Sequence, residues 1–200
     1  MTADENMADP NREAIPGISD QILDPAIAEG VYIGIETCYL SQSDTVISIN
    51  EFWQLYDDVV KMALDKLIPR LLDILTKNGQ AIRPVLIHGD LWESNIGTDE
   101  ESGEIYFWDA CAYYAHHERD VAMWRCAHHQ MTDEKYRGEY FKNYPPSEPR
   151  QEADDRNRLY SVEILMNNGL TFPGAKTRQL AVEELRYLIA KYFPEEYIGK

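Results

Sequence analysis

The segment from His88 to Asn95 carries polar residues at short, fixed spacing directly after the apolar run VLI. Asp90 and Asn95 are separated by four residues, and His88 lies two residues before Asp90. A carboxylate can accept the proton of a hydroxyl group, and a neutral amide oxygen can bind Mg²⁺ without adding negative charge. Phosphoryl transfer asks a protein mainly for such positioning and charge neutralisation. The spacing therefore predicts Asp90 as a general base and Asn95 as a magnesium ligand.

A second magnesium ligand is expected on a strand beside this loop. Asp109 ends the run IYFWD and stands in the appropriate place. Its carboxylate would bridge the metal and the phosphates of a nucleotide. Asp90, Asn95 and Asp109 thus form a candidate constellation for ATP and Mg²⁺.

These side chains need elements that hold them together. The runs VLI and IYF are predicted to pair as a small hairpin, because the polar loop and the turn signal TDEESG separate them. The rest of the chain is predicted to be helical, with Pro69 kinking or dividing the first helix, Thr132 capping one helix and Gly169 ending another. The predicted helices are Glu51 to about Asn78, 118–129, 132–144, 158–168 and about 176–192. The fold class is therefore α+β and mainly helical.

The chain divides into three predicted regions. Residues 1–25 are polar and aperiodic and are expected to be a disordered acidic tail. Residues 26–50 form a short lead-in, in which VYIGI and TVISI are candidate strands. Residues 51–200 form the main lobe, which is long enough for one substantial core.

Charge and composition exclude several classes of protein. A net charge of −16 repels nucleic acid and anionic membranes. The three cysteines are odd in number and scattered, and no leader-like apolar segment begins the chain, so a reducing, cytoplasmic setting is expected. Apolar runs of only a few residues predict no membrane span.

The strings HGDLWESNIGTDE and FWDACAYYAHHERD resemble the signature segments of the fructosamine kinase and ketosamine 3-kinase (protein-ribulosamine 3-kinase) family, particularly its fungal members. That family belongs to the wider aminoglycoside phosphotransferase and choline kinase group, in which HGD takes the place of the protein-kinase HRD. The resemblance covers roughly Phe52 to Phe193. It implies the C-terminal lobe of a protein kinase-like, aminoglycoside phosphotransferase-like fold.

The resemblance implies ATP-dependent phosphorylation of the 3-hydroxyl of a ketosamine on a protein lysine, or of a small ketosamine, as a step of protein deglycation. It implies catalysis by Asp90 with His88 bracing the loop, and binding of Mg²⁺ and ATP by Asn95 and Asp109. Trp92 would form an apolar wall for the sugar or the lysine stem. His116 or His117, together with Glu118, match family positions on the substrate side of the site that we expect to support the loop.

The chain departs from that family upstream of the loop. Only 87 residues precede His88, no G-x-G-x-x-G occurs, and the upstream lysines fall in the first predicted helix: Lys61, Lys66 and Lys77. The N-terminal lobe is therefore expected to be largely absent, with a partner chain as one source of it. The alternative to an enzyme is a lone C-lobe that acts as a binding or regulatory module.

A cluster of cysteines and histidines offers a third hypothesis, a zinc protein. Its members lie within 19 residues: Cys111, His116, His117, Cys126, His128 and His129. Their spacing matches neither paired C-x-x-C nor H-E-x-x-H. Core cysteines and loop-supporting or surface histidines are the simpler interpretation.

Overall fold

A computed structural model of the chain describes residue 35, residues 51–172 and residues 176–197, apart from the side chains of residues 51–55. This part of the chain is mainly helical, with three small antiparallel sheets of two strands each. Most of its buried apolar side chains form one cluster between the helices.

The first helical unit is broken, as Pro69 predicted. Helix α1 spans Glu51–Met62, a π-helix follows over Ala63–Leu67, and α2 spans Ile68–Leu72. Pro69 has no N–H to donate to the preceding turn, so an irregular turn next to it is expected. The described side chains of this unit bury an apolar stripe at intervals of three and four residues.

The helix ends at Leu72 instead of continuing to about Asn78. Strands β1 (Thr76–Lys77) and β2 (Gln80–Ala81) form a hairpin instead. Its two turn residues, Asn78 and Gly79, both have positive φ, at 54° and 74°. An Asn-Gly pair suits this two-residue turn because both residues tolerate the left-handed region.

The predicted pairing of VLI with IYF is wrong. Strand β3 (Val85–Ile87) pairs with β6 (Tyr113–Ala115), whereas β4 (Ile96–Thr98) pairs with β5 (Ile105–Phe107). The short run IGT lies next to IYF across the turn TDEESG, so it closes the hairpin with less chain in the loop than VLI would need. The loop with Asp90 therefore connects two sheets.

The segment predicted as a helix over 118–129 contains two 3₁₀ turns, His117–Arg119 and Met123–Arg125. Helix α3 spans Glu134–Asn143, and its N-cap is Asp133, not Thr132. The Asp133 carboxylate accepts a hydrogen bond from the backbone N–H of Lys135.

Two long helices complete the lobe. Helix α4 spans Ala153–Thr171 and is longer than predicted, with Gly169 inside it, packed against Arg178. Helix α5 spans Thr177–Tyr192, close to the prediction, and the short α6 spans Pro194–Tyr197. Helices α4 and α5 pack along each other and close the main core.

Ile35 belongs to the lead-in, where a strand was predicted. It is helical and fully buried in the main core, so the prediction is wrong at that residue. The other predictions for residues 1–50 lie outside the described residues.

Candidate functional site

The loop that carries Asp90 begins where β3 ends. Gly89 has φ +79°, and a Cβ atom there would lie 2.3 Å from the carbonyl oxygen of Cys111 and 2.6 Å from the ring of Tyr113. Only glycine satisfies both the left-handed backbone and this close approach. The chain can therefore turn sharply between His88 and Asp90.

Asp120, from another segment of the chain, stabilises this turn by hydrogen bonding. Its two carboxylate oxygens accept hydrogen bonds from the backbone N–H groups of His88, at 3.1 Å, and Gly89, at 2.9 Å. Asp120 directly follows the 3₁₀ turn His117–Arg119, and its own N–H donates to the carbonyl oxygen of His117. Spacing in the sequence gave no signal for this residue, because the contact joins segments about thirty positions apart.

Asp90 and Asn95 are in direct contact. The Asn95 amide nitrogen donates to the Asp90 backbone oxygen at 2.9 Å and to one Asp90 carboxylate oxygen, Oδ2, at 3.0 Å. Asn95 is 4% exposed and ends the 3₁₀ turn Glu93–Asn95. Among the described residues, no donor hydrogen-bonds to the amide oxygen of Asn95, so that atom is available to a cation.

Asp109 follows β5 and is tied to the same loop through its neighbour Trp108. The Trp108 N–H donates to the backbone oxygen of Asn95 at 3.2 Å, and its carbonyl oxygen lies 3.0 Å from His88 Nε2. Asp109 is exposed and has φ +55°, a left-handed conformation that aspartate adopts more readily than most residues. The backbone next to Asp109 is thus fixed to both ends of the Asp90 loop.

Both ring nitrogens of His88 lie within hydrogen-bond distance of backbone atoms of the site. A carbonyl oxygen can only accept, so Nε2 carries the proton that is donated to Trp108. The other ring nitrogen, Nδ1, accepts from the Asp90 N–H at 3.3 Å. One imidazole therefore connects Asp90 and the residue before Asp109.

A cavity of about 540 Å³ opens beside this loop, and both Asp90 and Trp92 line it. Its apolar wall comes from Met123 in a 3₁₀ turn, Ile164 in α4 and Phe172 at the C-terminal end of α4. Sequence analysis identified Trp92 but none of these three, because their shared location depends on tertiary packing. The cavity is large enough for a small organic molecule.

His117 and Glu118 lie away from this cavity. Glu118 has no exposed surface: both carboxylate oxygens bind the buried guanidinium of Arg156 at 2.7 Å, and one also accepts the Ser147 N–H. Burial raises the pKa of Glu118, while its bonds to Arg156 and Ser147 oppose that shift. The substrate-side position expected for Glu118 is wrong, because its carboxylate is fully buried and bonded to Arg156 and Ser147, next to the turn before Asp120.

His117 is also buried. Its ring packs edge-on against the ring of Tyr144, with the ring centroids 4.1 Å apart. It lines a different, 290 Å³ cavity together with Lys77. Burial, helped by Lys77 and Arg156, lowers the pKa of His117 to about 3, so the ring is neutral at physiological pH. His117 was predicted to lie on the substrate side of the site, but the structure places it away from the 540 Å³ cavity.

His116, His117 and Glu118 approach one another closely enough to bind a metal ion, with ligand atoms within 4.8 Å. Both His116 nitrogens, however, already bind protein hydroxyls: Tyr160 at 2.7 Å and Ser147 at 2.9 Å. Burial also lowers the pKa of His116 well below its usual value. The cluster is therefore explained as a hydrogen-bonded support, and nothing in it requires zinc.

The fold and site together define a class. A mainly helical lobe with small antiparallel sheets carries an aspartate–asparagine loop next to a second aspartate, and this arrangement is compatible with the C-terminal lobe of a kinase. A profile of the fructosamine kinase family matches residues 49–191. The chain belongs to the fructosamine kinase family.

Two curated plant proteins show the same similarity. The chain is 33% identical over 91 residues to the chloroplastic protein-ribulosamine 3-kinase of Oryza sativa subsp. indica, covering 45% of this chain and 24% of that protein. It is 37% identical over 79 residues to the chloroplastic protein-ribulosamine 3-kinase of Arabidopsis thaliana, covering 40% and 23%. The match thus spans about a quarter of each relative, and the expected likeness to fungal members stays a prediction.

No helix within residues 51–172 or 176–197 is long and apolar enough to cross a bilayer. The names of the plant relatives place those proteins in chloroplasts. The cytoplasmic setting expected from the cysteines stays a prediction for this chain.

Proposed function

We propose that this lobe takes part in transferring the γ-phosphoryl group of ATP to the 3-hydroxyl of a ketosamine, either a ribulosamine or a fructosamine on a protein lysine. Phosphorylation there destabilises the sugar adduct and permits recovery of the amine. The observation that carries the proposal is the Asp90 carboxylate, held by the amide of Asn95 at the wall of a 540 Å³ cavity. The ribulosamine 3-kinase names of the relatives support the choice of substrate.

Asp90 is the group that receives the hydroxyl proton. The Asn95 amide donates a hydrogen bond to Asp90 Oδ2. No described residue hydrogen-bonds to the other carboxylate oxygen of Asp90, Oδ1. The bonds from Asp120 to the loop backbone and from Asn95 to Asp90 fix the carboxylate before substrate arrives. Such fixed positioning lowers the barrier because reacting groups need not be ordered during the reaction.

Asn95 and Asp109 are the residues that would hold Mg²⁺. The Asn95 amide oxygen has no donor among the described residues, and the Asp109 carboxylate is exposed, so both offer the hard oxygen ligands that Mg²⁺ prefers. When bound, the ion neutralises negative charge on the transferred phosphoryl group. The chain's own contribution is the hydrogen-bonded tie between Trp108 and the loop, which fixes the backbone beside Asp109.

Trp92 and the apolar wall of the cavity would receive the ketosamine. An indole face packs well against the C–H surface of a sugar or against the methylene stem of lysine. The negative charge of the whole chain also favours a substrate with a secondary ammonium group.

The proposal is tested by incubating the chain with MgATP and either ribulosyl- or fructosyl-Nα-acetyllysine. We expect mass spectrometry to show the addition of one phosphate to the ketosamine and none to Nα-acetyllysine alone. Asp109→Asn should raise the Mg²⁺ concentration that gives half-maximal transfer, whereas Asp99→Asn, in the exposed turn of the same hairpin, should not. Binding of the ketosamine without any transfer would contradict the proposal.

A further inference from the structure

Two adjacent histidines line the cavity that holds Asp90 and Trp92. Their rings lie 4.1 Å apart, and the ring of His129 meets the indole of Trp92 edge-on at 5.8 Å. His128 is joined to α4 by its contact with Asn168 at 3.2 Å. His129 therefore lies at the corner where the catalytic loop faces the cavity.

Glu93 determines which nitrogen of His129 carries the proton. Its carboxylate oxygen lies 3.2 Å from His129 Nδ1. A carboxylate accepts hydrogen bonds, so Nδ1 is the protonated nitrogen and Nε2 carries the lone pair. Among the described residues, no group hydrogen-bonds to Nε2 of His129.

The environment also keeps the imidazole neutral. Burial, together with His128, lowers the pKa of His129, and the opposing effect of Glu93 is smaller. A neutral ring presents a hydrogen-bond acceptor without placing another charge beside Asp90. Met123, Ile164 and Phe172 offer no hydrogen-bond acceptor, and the other polar side chains of the lining besides Asp90 are His128, Asn168 and Thr177. Of these, His128 Nε2 already lies 3.2 Å from the amide nitrogen of Asn168.

We propose that His129 is a specificity-determining residue whose Nε2 accepts a hydrogen bond from a hydroxyl of the ketosamine's sugar. This inference rests on the proposed function, because it assigns a role within the same acceptor cavity. Glu93 acts as a positioning residue that fixes the required tautomer. A sugar that lacks the recognised hydroxyl would fill the cavity and leave this acceptor unmatched, which disfavours that sugar.

The test uses 3-deoxy ketosamines, which lack the hydroxyl that would accept phosphate and therefore bind without reacting. Calorimetry would compare the parent 3-deoxy compound with analogues in which one further sugar hydroxyl is replaced by hydrogen. For the wild-type chain we expect about a tenfold rise in Kd for one of these analogues, the value of one net hydrogen bond. In His129→Phe that difference should disappear, since the acceptor is gone.

His129→Gln is the matched control, because its amide oxygen can reach the position of Nε2. We expect it to restore at least part of the discrimination. The same penalty in His129→Phe as in the wild type, for every analogue, would overturn the inference while leaving the proposed function intact. If the wild-type chain neither binds nor phosphorylates any ketosamine, the proposed function itself fails, and the inference with it.

Discussion

The Nε2 atom of His88 lies 3.0 Å from the backbone carbonyl oxygen of Trp108. Because the Trp108 N–H also donates to Asn95, the residue before Asp109 is bonded to both ends of the loop that carries Asp90. The ring of Trp108 in turn covers Gly97, where a Cβ atom would lie 2.6 Å from it. The loop and the end of β5 therefore form one connected unit.

Replacing His88 should loosen this unit without removing a group that receives the hydroxyl proton. We expect His88→Phe to lower kcat by about 10- to 100-fold, because small displacements of catalytic groups have effects of this size. The KM for ketosamine should change little, since His88 is not among the residues that line the cavity. His88→Gln, which keeps a donor near the position of Nε2, should recover part of kcat. Steady-state kinetics checks both variants, and an unchanged kcat in His88→Phe would show that the tie is dispensable.

Asp120 supports the same loop through its backbone. The amide of Asp120→Asn has a single oxygen, so one of the N–H groups of His88 and Gly89 loses its acceptor. We expect a loss of about 1–3 kcal/mol in the free energy of unfolding, the usual effect of an unsatisfied donor. Urea denaturation measures this loss. The control is Asp133→Asn at the N-cap of α3. Asparagine caps a helix as well as aspartate does, so the free energy of unfolding should not change. Equal stabilities for the two variants would argue against the role of Asp120.

The buried pair of Glu118 and Arg156 predicts a larger effect. Neither side chain is exposed, and Glu118→Gln would leave the guanidinium without its carboxylate. We expect a loss of about 3–5 kcal/mol, because an uncompensated buried charge is strongly destabilising. The free energy of unfolding from urea titrations tests this. Glu139→Gln, which breaks the exposed pair with Lys142, should have no measurable effect. A small loss in Glu118→Gln would mean that water reaches Arg156.

The buried imidazole of His117 predicts a dependence of stability on pH. Its pKa is about 3 in the folded chain, against an ordinary value of 6.5, so the unfolded chain binds a proton that the folded chain excludes. Stability should therefore fall as the pH decreases below about 6.5, by up to about 1.4 kcal/mol per pH unit for this group. His117→Gln should reduce that slope between pH 6.5 and 5.

The measurement is urea unfolding at several pH values. Tyr144→Phe is the control, because it keeps the ring that packs edge-on against His117 and leaves the imidazole in place. It should keep the wild-type slope. The same slope in His117→Gln would place the titrating group elsewhere.

The sequence predicts the part of the site that depends on local spacing. Asp90 and Asn95 meet because a glycine turn and a 3₁₀ turn lie within the same eight-residue segment, and both are encoded by neighbouring residues. The break at Pro69 was likewise predictable, since a missing N–H acts on its own helix. The Asn78–Gly79 turn carried an equally local signal that the helical periodicity before it obscured.

What could not be predicted depends on contacts between distant segments. The pairing of β3 with β6 joins residues 26 to 30 positions apart, and periodicity contains no information about that choice. Glu118 pairs with Arg156 of α4, which lies 38 positions further along the chain. A residue that was expected near the substrate is therefore buried and has a structural role. The 540 Å³ cavity likewise depends on tertiary structure, because its lining combines the Asp90 loop with residues of α4.

The most direct test of the central claim is the turnover of Asp90→Asn with MgATP and a ketosamine. This substitution keeps the shape and one oxygen for the Asn95 amide but removes the base, so folding should be preserved. We predict that kcat falls by about 10²–10⁴-fold, the usual contribution of a positioned acid or base, while the thermal unfolding midpoint stays near that of the wild type. An unchanged kcat in a folded Asp90→Asn variant would contradict the assignment of Asp90 as the catalytic base.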